Sequence, residues 1–352
     1  MEIKELLEYT INRNASDLHL LVGVPPMIRM NGLLSPITAK EVLTPETTNK
    51  LVLSLVNDEQ KEILLVNKEL DFSFDFQGQG RFRINAYYEK GKLAAALRLI
   101  PNKIPKVNDL NLPEICHTFA QLQQGFILVT GPTGQGKSTT LASIVDEIAQ
   151  TRPVHIVTIE DPIEYLFSHQ KAIISQREIR ADTHSWQIAL RSCLREDPDV
   201  VMIGEMRDYE TIASALTIAE TGHLVFATLH TNSAAQTIDR VIDVFPANQQ
   251  AQVRTQLSSG LEAIISQRLL PSLSGGRTPA TEILVNTPAI SNAIREGKTQ
   301  MIDTILQTSS EMGMRTLEMD LARLVKEGKV SLEVARAFAL RPEELMRLTK
   351  ER

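Results

Sequence analysis

Hydrophobic and polar residues follow two different patterns along the chain, with a change near residue 100. In residues 3–11 the apolar positions recur at helical spacing, whereas in the runs 71–76 and 81–87 they alternate with polar positions. The first spacing predicts an amphipathic helix, and the second predicts strands with one buried face. We therefore expect residues 1–100 to form a small α+β domain with an antiparallel sheet.

Short, continuous apolar runs separated by helical patterns begin at residue 126. The runs are FILVT at 126–130, VHIVTI at 154–159, VVMI at 200–203 and LVFATL at 224–229. Strands without alternation are buried on both faces, and such strands separated by helices are typical of a parallel sheet covered by helices. The sequence therefore predicts an α/β core over residues 119–287.

The segments on either side of this core have patterns of their own. Residues 101–118 contain three prolines and no sustained periodicity, which is typical of a linker. After the core the strand pattern stops, Leu317 and Leu321 lie on one predicted helical face, and Gly328 can end that helix. We expect a linker at 101–118 and a helical C-terminal region at 288–352.

Composition narrows the class of protein. The 352 residues are 43% hydrophobic and 23% charged, which favours a folded chain of about two domains over a disordered one. The net charge of −6 provides no overall field that would attract nucleic acid. Cys116 and Cys193 lie outside any metal-binding spacing and are expected to be inert thiols. Because neither a signal-peptide pattern nor an apolar run of about 18 residues is present, we expect a cytoplasmic protein.

The strongest chemical signal is the run GPTGQGKS, which follows the first buried strand directly. It fits the pattern G-x-x-x-x-G-K-[ST], in which a glycine-rich loop between a strand and a helix wraps backbone amides around a phosphate. The lysine can reach the β- and γ-phosphates of a nucleotide, and the serine hydroxyl can bind Mg²⁺. The predicted nucleotide-binding residues of this loop are Gly131, Thr133, Gly134, Gln135, Gly136, Lys137, Ser138 and Thr139.

Three further predicted strands end beside residues that suit hydrolysis. The strand at 154–159 leads into Glu160 and, four residues later, Glu164, and the strand at 200–203 leads into Glu205. The strand at 224–229 lies between His223 and His230, so at least one imidazole is expected at the same edge as the phosphate loop. Ligands bind at the carboxyl ends of the strands in such sheets, although a single histidine is often only structural.

Four runs resemble the Walker A, Asp-box, Walker B and His-box motifs of the secretion-superfamily hexameric ATPases, the GspE/PilT-like family. They are GPTGQGKSTT at 131–140, TIEDPIEY at 158–165, REDPDVVMIGEMRD at 195–208 and TGHLVFATLHTN at 221–232. The resemblance covers nearly the whole chain. It implies a RecA-like P-loop ATPase domain, preceded by a PAS-like α+β domain, in a chain that forms homohexamers and uses ATP and Mg²⁺.

The resemblance also implies roles for individual residues of the nucleotide site. Glu164 matches the base that orients the attacking water, and Glu205 matches a carboxylate near the metal, which Ser138 also binds. His223 and His230 match residues near the nucleotide. In this sequence-based hypothesis Glu164, Glu205 and His230 are catalytic, and His223 contributes to nucleotide binding.

Two arginines of the first domain match residues that reach across a subunit junction in such rings. These are Arg83 and Arg98, which we predict to be catalytic. An arginine that stabilises charge on the γ-phosphate contributes roughly 10³- to 10⁵-fold to turnover. The alternative is that each is an ordinary solvated residue of a strand.

One run near the end of the core resembles a signature of the pilus retraction members of the family. Residues 289–296 read AISNAIRE, which matches the family's AIRNLIRE except at Ser291 and Ala293. The resemblance implies retraction of type IV pili and twitching motility. It further implies an inner-membrane platform protein (PilC-like) as partner, a possible PilU-like paralogue, and a peripheral location at the inner membrane. The alternative for this run is an ordinary amphipathic helix.

Three other functions compete with this interpretation. Pilus extension and type II secretion ATPases of the same superfamily usually carry a long N-terminal region and a four-cysteine zinc motif, which this sequence lacks. A RecA-like nucleic-acid translocase is disfavoured by the acidic balance and by an aromatic content of only 5%. A nucleotide-gated adaptor without turnover would not need the predicted base Glu164.

Overall fold

The computed structural model describes residues 1–30, 32–37, 40–101 and 103–350. Asn102, in the predicted linker, and Glu351 and Arg352, at the end of the predicted helical region, lie outside the described residues. The chain divides into two compact units. The first comprises Met1–Lys103 with Pro162–Leu166, and the second comprises Ile104–Asp161 with Phe167–Arg352.

The first unit is an antiparallel sheet with helices, as the alternating pattern predicts. Its strands have the order β3-β2-β1-β6-β5-β4, and every neighbouring pair is antiparallel. The elements are α1 (Ile3–Asn12), β1 (Asp17–Leu20), β2 (Met27–Met30), β3 (Leu33–Pro36), α2 (Pro45–Leu53), α3 (Asp58–Asn67), β4 (Glu69–Asp75), β5 (Arg81–Glu89) and β6 (Lys92–Ile100).

Local sequence signals set the helix starts in the first unit. The Thr44 side chain accepts a hydrogen bond from the backbone N–H of Thr47 at the start of α2, where a proline occupies the first turn. Asn57 and Gln60 form a reciprocal capping box at the start of α3. Such caps satisfy backbone N–H groups that have no partner inside the helix. The apolar side of the sheet, which includes the fully buried Phe82, packs with the helices in one core.

The second unit contains the parallel-rich sheet. Its strand order is β13-β12-β7-β11-β10-β8-β9, in which only the pair β12–β13 is antiparallel. The elements up to the end of this sheet are α4 (Ile115–Phe119), β7 (Gly125–Thr130), α5 (Lys137–Thr151), β8 (His155–Glu160), β9 (Ile173–Glu178), α6 (Trp186–Cys193), β10 (Val200–Ile203), α7 (Tyr209–Glu220), β11 (Leu224–Leu229), α8 (Ala234–Asp243), α9 (Ala247–Gly260), β12 (Leu261–Pro271) and β13 (Arg277–Val285).

All four predicted strands of the core are confirmed. Every residue of β7, β10 and β11 is buried, and β8 is buried except for a partly exposed first residue. Two apolar cores therefore form, one on each face of this sheet. The carboxyl ends of β7, β8, β10 and β11 lie at one edge because these strands are parallel neighbours.

Helices follow the sheet, as the sequence predicts. They are α10 (Pro288–Arg295), α11 (Ile302–Thr308), α12 (Leu317–Lys326), α13 (Leu332–Phe338) and α14 (Pro342–Lys350). The predicted face of α12 is buried at Leu317 and Leu321. Gly328 has a φ of +68° just after α12, a left-handed conformation that favours glycine, and ends the helix. The α/β fold with a helical C-terminal part is thus confirmed.

The predicted linker and domain boundaries can be compared with the division of the chain into two units. The two units divide between Lys103 and Ile104, inside the predicted linker, and Pro162–Leu166 groups with the first unit although it follows β8. The boundaries at residues 100, 118 and 287 stay predictions. None of the helices in the described residues is long and apolar enough to cross a membrane.

The two cysteines are buried in the second unit and form no disulfide. Burial raises the pKa of the Cys116 thiol and of the Cys193 thiol to about 12. Because the thiolate is the reactive form, both thiols are expected to react slowly at neutral pH.

Candidate active site

A glycine-rich turn joins the buried strand β7 to helix α5. Gly131 has a φ of +143°, and a Cβ there would lie 2.4 Å from the backbone oxygen of Gln267. Gly136 has a φ of +80°, in the left-handed region that side chains avoid. Open space surrounds the position of a Cβ on Gly134 at the tip of the turn. The fold of this loop therefore requires glycine at its two ends.

The Lys137 side chain lies back over the loop. It is 8% exposed, and its Nζ donates hydrogen bonds to the carbonyl oxygens of Gly131 (2.9 Å) and Pro132 (3.0 Å). A buried ammonium group needs such partners because an unpaired buried charge is costly. The loop therefore has a fixed positive charge.

His230, the first residue after β11, connects the loop with the end of β10. Its Nε2 lies 2.9 Å from Oε1 of Glu205, and its Nδ1 lies 3.3 Å from Oγ1 of Thr133 and 3.5 Å from Nζ of Lys137. The lysine ammonium can only donate, so Nδ1 is assigned as the acceptor and Nε2–H as the donor to the carboxylate. Lys137, Thr133, Glu205 and His230 are thus in contact at one edge of the sheet.

Glu205 is held as a carboxylate. Burial raises its pKa, but the hydrogen bond from Arg207, the neighbouring His230 and the charges of Arg207 and Lys137 outweigh burial and keep the pKa below its usual value. Arg207 contacts both carboxylate oxygens, with its Nε 2.8 Å from Oε1 and its NH2 2.8 Å from Oε2. A negative charge is therefore fixed beside the phosphate loop.

The other predicted loop residues differ in their surroundings. Ser138 and Thr139 are partly buried in the first turn of α5, where backbone N–H groups are available to an anion. Gln135 contacts β12, because its side-chain oxygen accepts a hydrogen bond from the backbone N–H of Leu269 at 2.6 Å. The tip of the loop, at Thr133 and Gly134, is exposed.

Two residues of β12 hold this site, and the sequence analysis missed them. Gln267 is 2% exposed and donates from Nε2 to the carbonyl oxygen of Gln135 at 2.6 Å. Arg268 is 7% exposed and donates from NH2 to the carbonyl oxygen and Oδ1 of Asn232, two residues after His230. The available signal was the polar run Ser266-Gln267-Arg268 inside a largely apolar strand.

The carboxylates after β8 are in different environments. Glu160 is the last residue of the strand, is 5% exposed, and accepts a hydrogen bond from Oγ1 of Thr158 at 2.7 Å. Glu164 is exposed and belongs to the segment Pro162–Leu166 of the first unit. Its predicted role as the base stays a prediction.

His223 lies at the other end of β11 from the phosphate loop of the same chain, and its predicted contribution to nucleotide binding stays a prediction. Its carbonyl oxygen accepts a hydrogen bond from the N–H of Gly125, the first residue of β7, whereas the phosphate loop follows the last residue, Thr130. Six residues of strand span about 20 Å at roughly 3.3 Å per residue. The His223 ring instead contacts Thr221 Oγ1 and the Ile218 carbonyl oxygen.

Arg83 and Arg98 are directly opposite each other on β5 and β6 of the first unit. Arg98 is 70% exposed and donates from Nε to Oδ1 of Asp17 at 3.1 Å. Arg83 is 41% exposed and its NH2 lies 2.7 Å from Oδ2 of Asp71. Like charges in opposite positions of a strand pair repel, and the two aspartates offset that repulsion. The two arginines therefore lie side by side on one face of the sheet, each paired with an aspartate.

The AISNAIRE run forms helix α10. Ile290, Ala293 and Ile294 are buried, so this helix is amphipathic. The Ser291 hydroxyl donates to the carbonyl oxygen of Ser258 at 2.9 Å and to Oδ1 of Asn286 at 3.0 Å. Both departures from the family signature therefore fall on the side of α10 that packs inward.

A cavity of 320 Å³ lies next to Glu205 in the second unit. Asp161 and Arg207 line it at the strand ends, and His184 and Trp186 line it from the start of α6. A cavity of this size with charged side chains in its lining has room for several water molecules. Water can therefore reach the carboxylate.

The donor types at this edge fit a magnesium ion. Mg²⁺ prefers oxygen ligands, binds through one or two protein groups, and keeps waters and substrate phosphates as the others. Ser138 supplies a hydroxyl and Glu205 an ionised carboxylate. Among the described residues, no group of three or more His, Cys, Asp or Glu could hold a metal by itself.

The fold and the loop define the class. A glycine-rich loop between a buried parallel strand and a helix, with a buried lysine and a carboxylate at the next strand end, is the arrangement of P-loop nucleotide hydrolases. Residues 107–275 match the family described as "Type II/IV secretion system protein".

Similarity to individual proteins extends over the whole chain. It is 47% identical over 348 residues to the type IV pilus retraction ATPase PilT of Pseudomonas aeruginosa, covering 97% of this chain and 99% of that one. It is 41% identical to the type IV pilus ATPase PilU of the same organism, covering 96% and 89%. The crystal structure of the pilus retraction motor PilT with bound ADP has a TM-score of 0.92 at 50% identity, covering 99% of each chain. The chain belongs to the PilT family of type IV pilus ATPases.

Proposed function

We propose that this chain is a motor ATPase that hydrolyses ATP to power the retraction of type IV pili, and thereby twitching motility. The observation that carries the proposal is the end-to-end similarity to a pilus retraction ATPase, together with the contact of Lys137, His230 and Glu205 at the end of the strands. Identity to the retraction ATPase exceeds identity to PilU, 47% against 41%, which favours the main motor over an accessory paralogue.

The phosphate loop binds the triphosphate of ATP in this proposal. Backbone amides of the loop and the N-terminus of α5 donate to the phosphate oxygens, and the Lys137 ammonium neutralises the β- and γ-phosphates. The ammonium exchanges its bonds with the loop carbonyls for phosphate oxygens. Because charge on the γ-phosphoryl group spreads over its oxygens in the transition state, a fixed cation there lowers the barrier.

Glu205 and His230 are placed to respond to the γ-phosphate. When bound, Mg²⁺ neutralises phosphate charge, and the Ser138 hydroxyl and the Glu205 carboxylate are the groups that would hold it or its waters. The Nε2–H of His230 orients the Glu205 carboxylate, while its Nδ1 faces the loop. Glu164 accepts the proton of the attacking water, as the resemblance implies.

Assembly completes the site in this proposal. The chain forms a homohexamer, and Arg83 and Arg98 of one subunit reach the nucleotide of the next. ATP draws the two subunits together, and hydrolysis loosens them. The resulting change in ring shape turns an inner-membrane platform protein, which the hexamer contacts from the cytoplasm at the pilus base. A PilU-like paralogue is a further partner of the hexamer in this proposal.

A biochemical experiment tests the enzymatic part. Phosphate release from purified protein is measured with ATP and Mg²⁺ for the wild type, Lys137→Ala and, as a matched control, Lys171→Ala at an exposed lysine of the same unit. We expect Lys137→Ala to lose most nucleotide affinity and turnover and Lys171→Ala to keep both. Unchanged turnover in Lys137→Ala would refute the role of the loop.

Deletion of the gene tests the direction of the motor. Loss of a retraction motor should leave cells with accumulated pili and no twitching, and a plasmid copy should restore twitching. The alternative, a pilus extension or type II secretion ATPase, predicts cells without pili or with a secretion defect. Cells without pili would therefore refute retraction and support extension. DNA-dependent turnover would favour the nucleic-acid translocase, for which neither the charge nor the aromatic content argues.

A further inference from the structure

Strand β12 touches the phosphate loop through one buried side chain. The Gln267 amide makes two hydrogen bonds in opposite directions: its Nε2 donates to the carbonyl oxygen of Gln135 at 2.6 Å, and its Oε1 accepts from Oγ1 of Thr140 at 2.8 Å. Thr140 is 1% exposed in α5, so its bond to Gln267 is shielded from water, whereas the bond to Gln135 is partly buried. One side chain therefore connects the loop before the lysine with the helix after it.

The first of these bonds sets the direction of a loop amide. In a trans peptide the carbonyl of one residue and the N–H of the next point to opposite sides. Because Gln267 holds the Gln135 carbonyl toward β12, the N–H of Gly136 points away from β12. A phosphate loop binds its anion through converging backbone N–H groups, so the orientation of each peptide matters for affinity.

Neighbouring contacts leave the loop little freedom to adopt another conformation. The Gln135 side chain accepts a hydrogen bond from the N–H of Leu269 at 2.6 Å, and the backbone of Gln267 lies so close to Gly131 that a Cβ there would be 2.4 Å from its oxygen. A Cβ on Gly136 would lie 3.0 Å from Nε2 of Gln267. The loop is therefore fixed against β12 at both of its ends.

We propose that Gln267 is a positioning residue for nucleotide binding, which holds the loop with its amides preset for a phosphate. The proposal rests on the proposed function only in that the loop binds a nucleotide. It adds that this affinity depends on a side chain more than 120 residues away in the sequence. Without Gln267 the loop must be ordered by the ligand itself, and the cost appears as weaker binding.

Three variants separate positioning from packing. Gln267→Leu keeps a similar volume and removes both hydrogen bonds. Gln267→Glu keeps the shape and the acceptor for Thr140 but places a carboxylate oxygen against the Gln135 carbonyl. Thr140→Val removes only the hydroxyl. Matched controls are Gln256→Leu, whose amide contacts Glu220, and Thr48→Val, a buried threonine of the first unit.

The measurement is the dissociation constant of a fluorescent ADP analogue, with the thermal midpoint of each apo variant and the KM and kcat for ATP. Since the loss of one net hydrogen bond weakens binding about fivefold, Gln267→Leu, which loses two, should weaken binding about thirtyfold and Thr140→Val about fivefold. Gln267→Glu should bind more weakly than Gln267→Leu. KM should rise while kcat at saturating ATP stays within about twofold, and the controls should bind as the wild type does.

A double variant provides the sharpest test. If Thr140 acts on the loop through Gln267, Thr140→Val should have no further effect on binding in the Gln267→Leu background. Wild-type affinity in Gln267→Leu, or an affinity loss only at temperatures where that variant unfolds, would overturn the proposal. Failure of the proposed function looks different, because wild-type protein would then release no phosphate while Gln267→Leu still reduced binding of the ADP analogue.

Discussion

The buried carboxyl group of Glu282 should make the stability of the second unit depend on pH near neutrality. Glu282 lies on β13 and is 1% exposed. Its Oε1 accepts a hydrogen bond from the N–H of Ala234 at 2.7 Å, and its Oε2 has no hydrogen-bond partner within the described part of the chain. Replacing it by glutamine keeps the shape and removes the ionisation, so Glu282→Gln isolates the effect of the buried charge.

The direction of the effect follows from the surroundings of this group. Burial is the main cause that raises the pKa of Glu282, and the charges of Asp303 and Glu318 raise it further, while the Ala234 N–H and Arg341 lower it. The net result is a shift from 4.5 to about 7. The folded state therefore holds a proton that the unfolded state has released, and the stability from this group is complete below pH 4.5 and lost as the pH rises through 7.

The size of the effect is large enough to measure. One pKa unit corresponds to 1.36 kcal/mol, so the shift from 4.5 to about 7 is worth about 3 kcal/mol in total, of which roughly 2 to 3 kcal/mol falls between pH 5 and pH 8. The wild type should lose that much free energy of unfolding relative to Glu282→Gln over this range. Other titrating groups contribute equally to both proteins and cancel in the difference.

Urea unfolding at pH 5, 6, 7 and 8 measures this difference. Trp186 is the one tryptophan of the sequence and packs against a core of the second unit. Its fluorescence therefore reports the unfolding of the unit that contains Glu282. Glu210→Gln, at an exposed glutamate of α7, is the control and should follow the wild type at every pH. If the free energies of the wild type and Glu282→Gln stay parallel within about 0.5 kcal/mol from pH 5 to 8, the buried charge does not titrate as argued.

Two further predictions concern hydrolysis. Glu164→Ala should bind the fluorescent ADP analogue as the wild type does but release phosphate at least tenfold more slowly, because it lacks the base. Phosphate release at the wild-type rate would show that Glu164 is not the base. Mixing Arg98→Ala with Lys137→Ala protein should restore part of the ATPase activity, because a mixed ring contains junctions with an intact loop and an intact arginine; activity no greater than the sum of the separate proteins would count against a shared site.

The features that the sequence predicts well depend on short-range patterns. Four of the seven strands of the second sheet, β7, β8, β10 and β11, are predicted because burial on both faces leaves apolar runs without alternation; β7, β10 and β11 are buried at every position. The phosphate loop is predicted because its glycines, lysine and flanking elements are contiguous. The grouping of Pro162–Leu166 with the first unit is not predicted, since no local pattern in that segment marks which unit it joins.

Strand polarity explains why the two predicted histidines lie at opposite edges of the sheet. His223 and His230 flank the same strand and belong to one run that resembles a family motif, so a motif-based interpretation assigns both to the nucleotide. In a parallel sheet, however, the residue before a strand and the residue after it lie at opposite edges. His230 follows β11 and contacts Glu205 and Thr133. The direction of β11 is known from the sequence alone, and it would have placed the two histidines at opposite edges of the sheet.

The hydrogen-bond partners of β12 show a second limit of prediction from the sequence. A polar run inside a buried strand predicts that partners exist, because an unpaired buried amide or guanidinium group costs about 1–3 kcal/mol or more. It does not identify them, since Gln267 meets Thr140 and Gln135 only through the pairing of β12 with β7. The neighbouring Arg268 meets Asn232 on the other face, as successive residues of a strand must. Once the strand order is known, each of these contacts follows, so the missing information is the topology and not the chemistry of the residues.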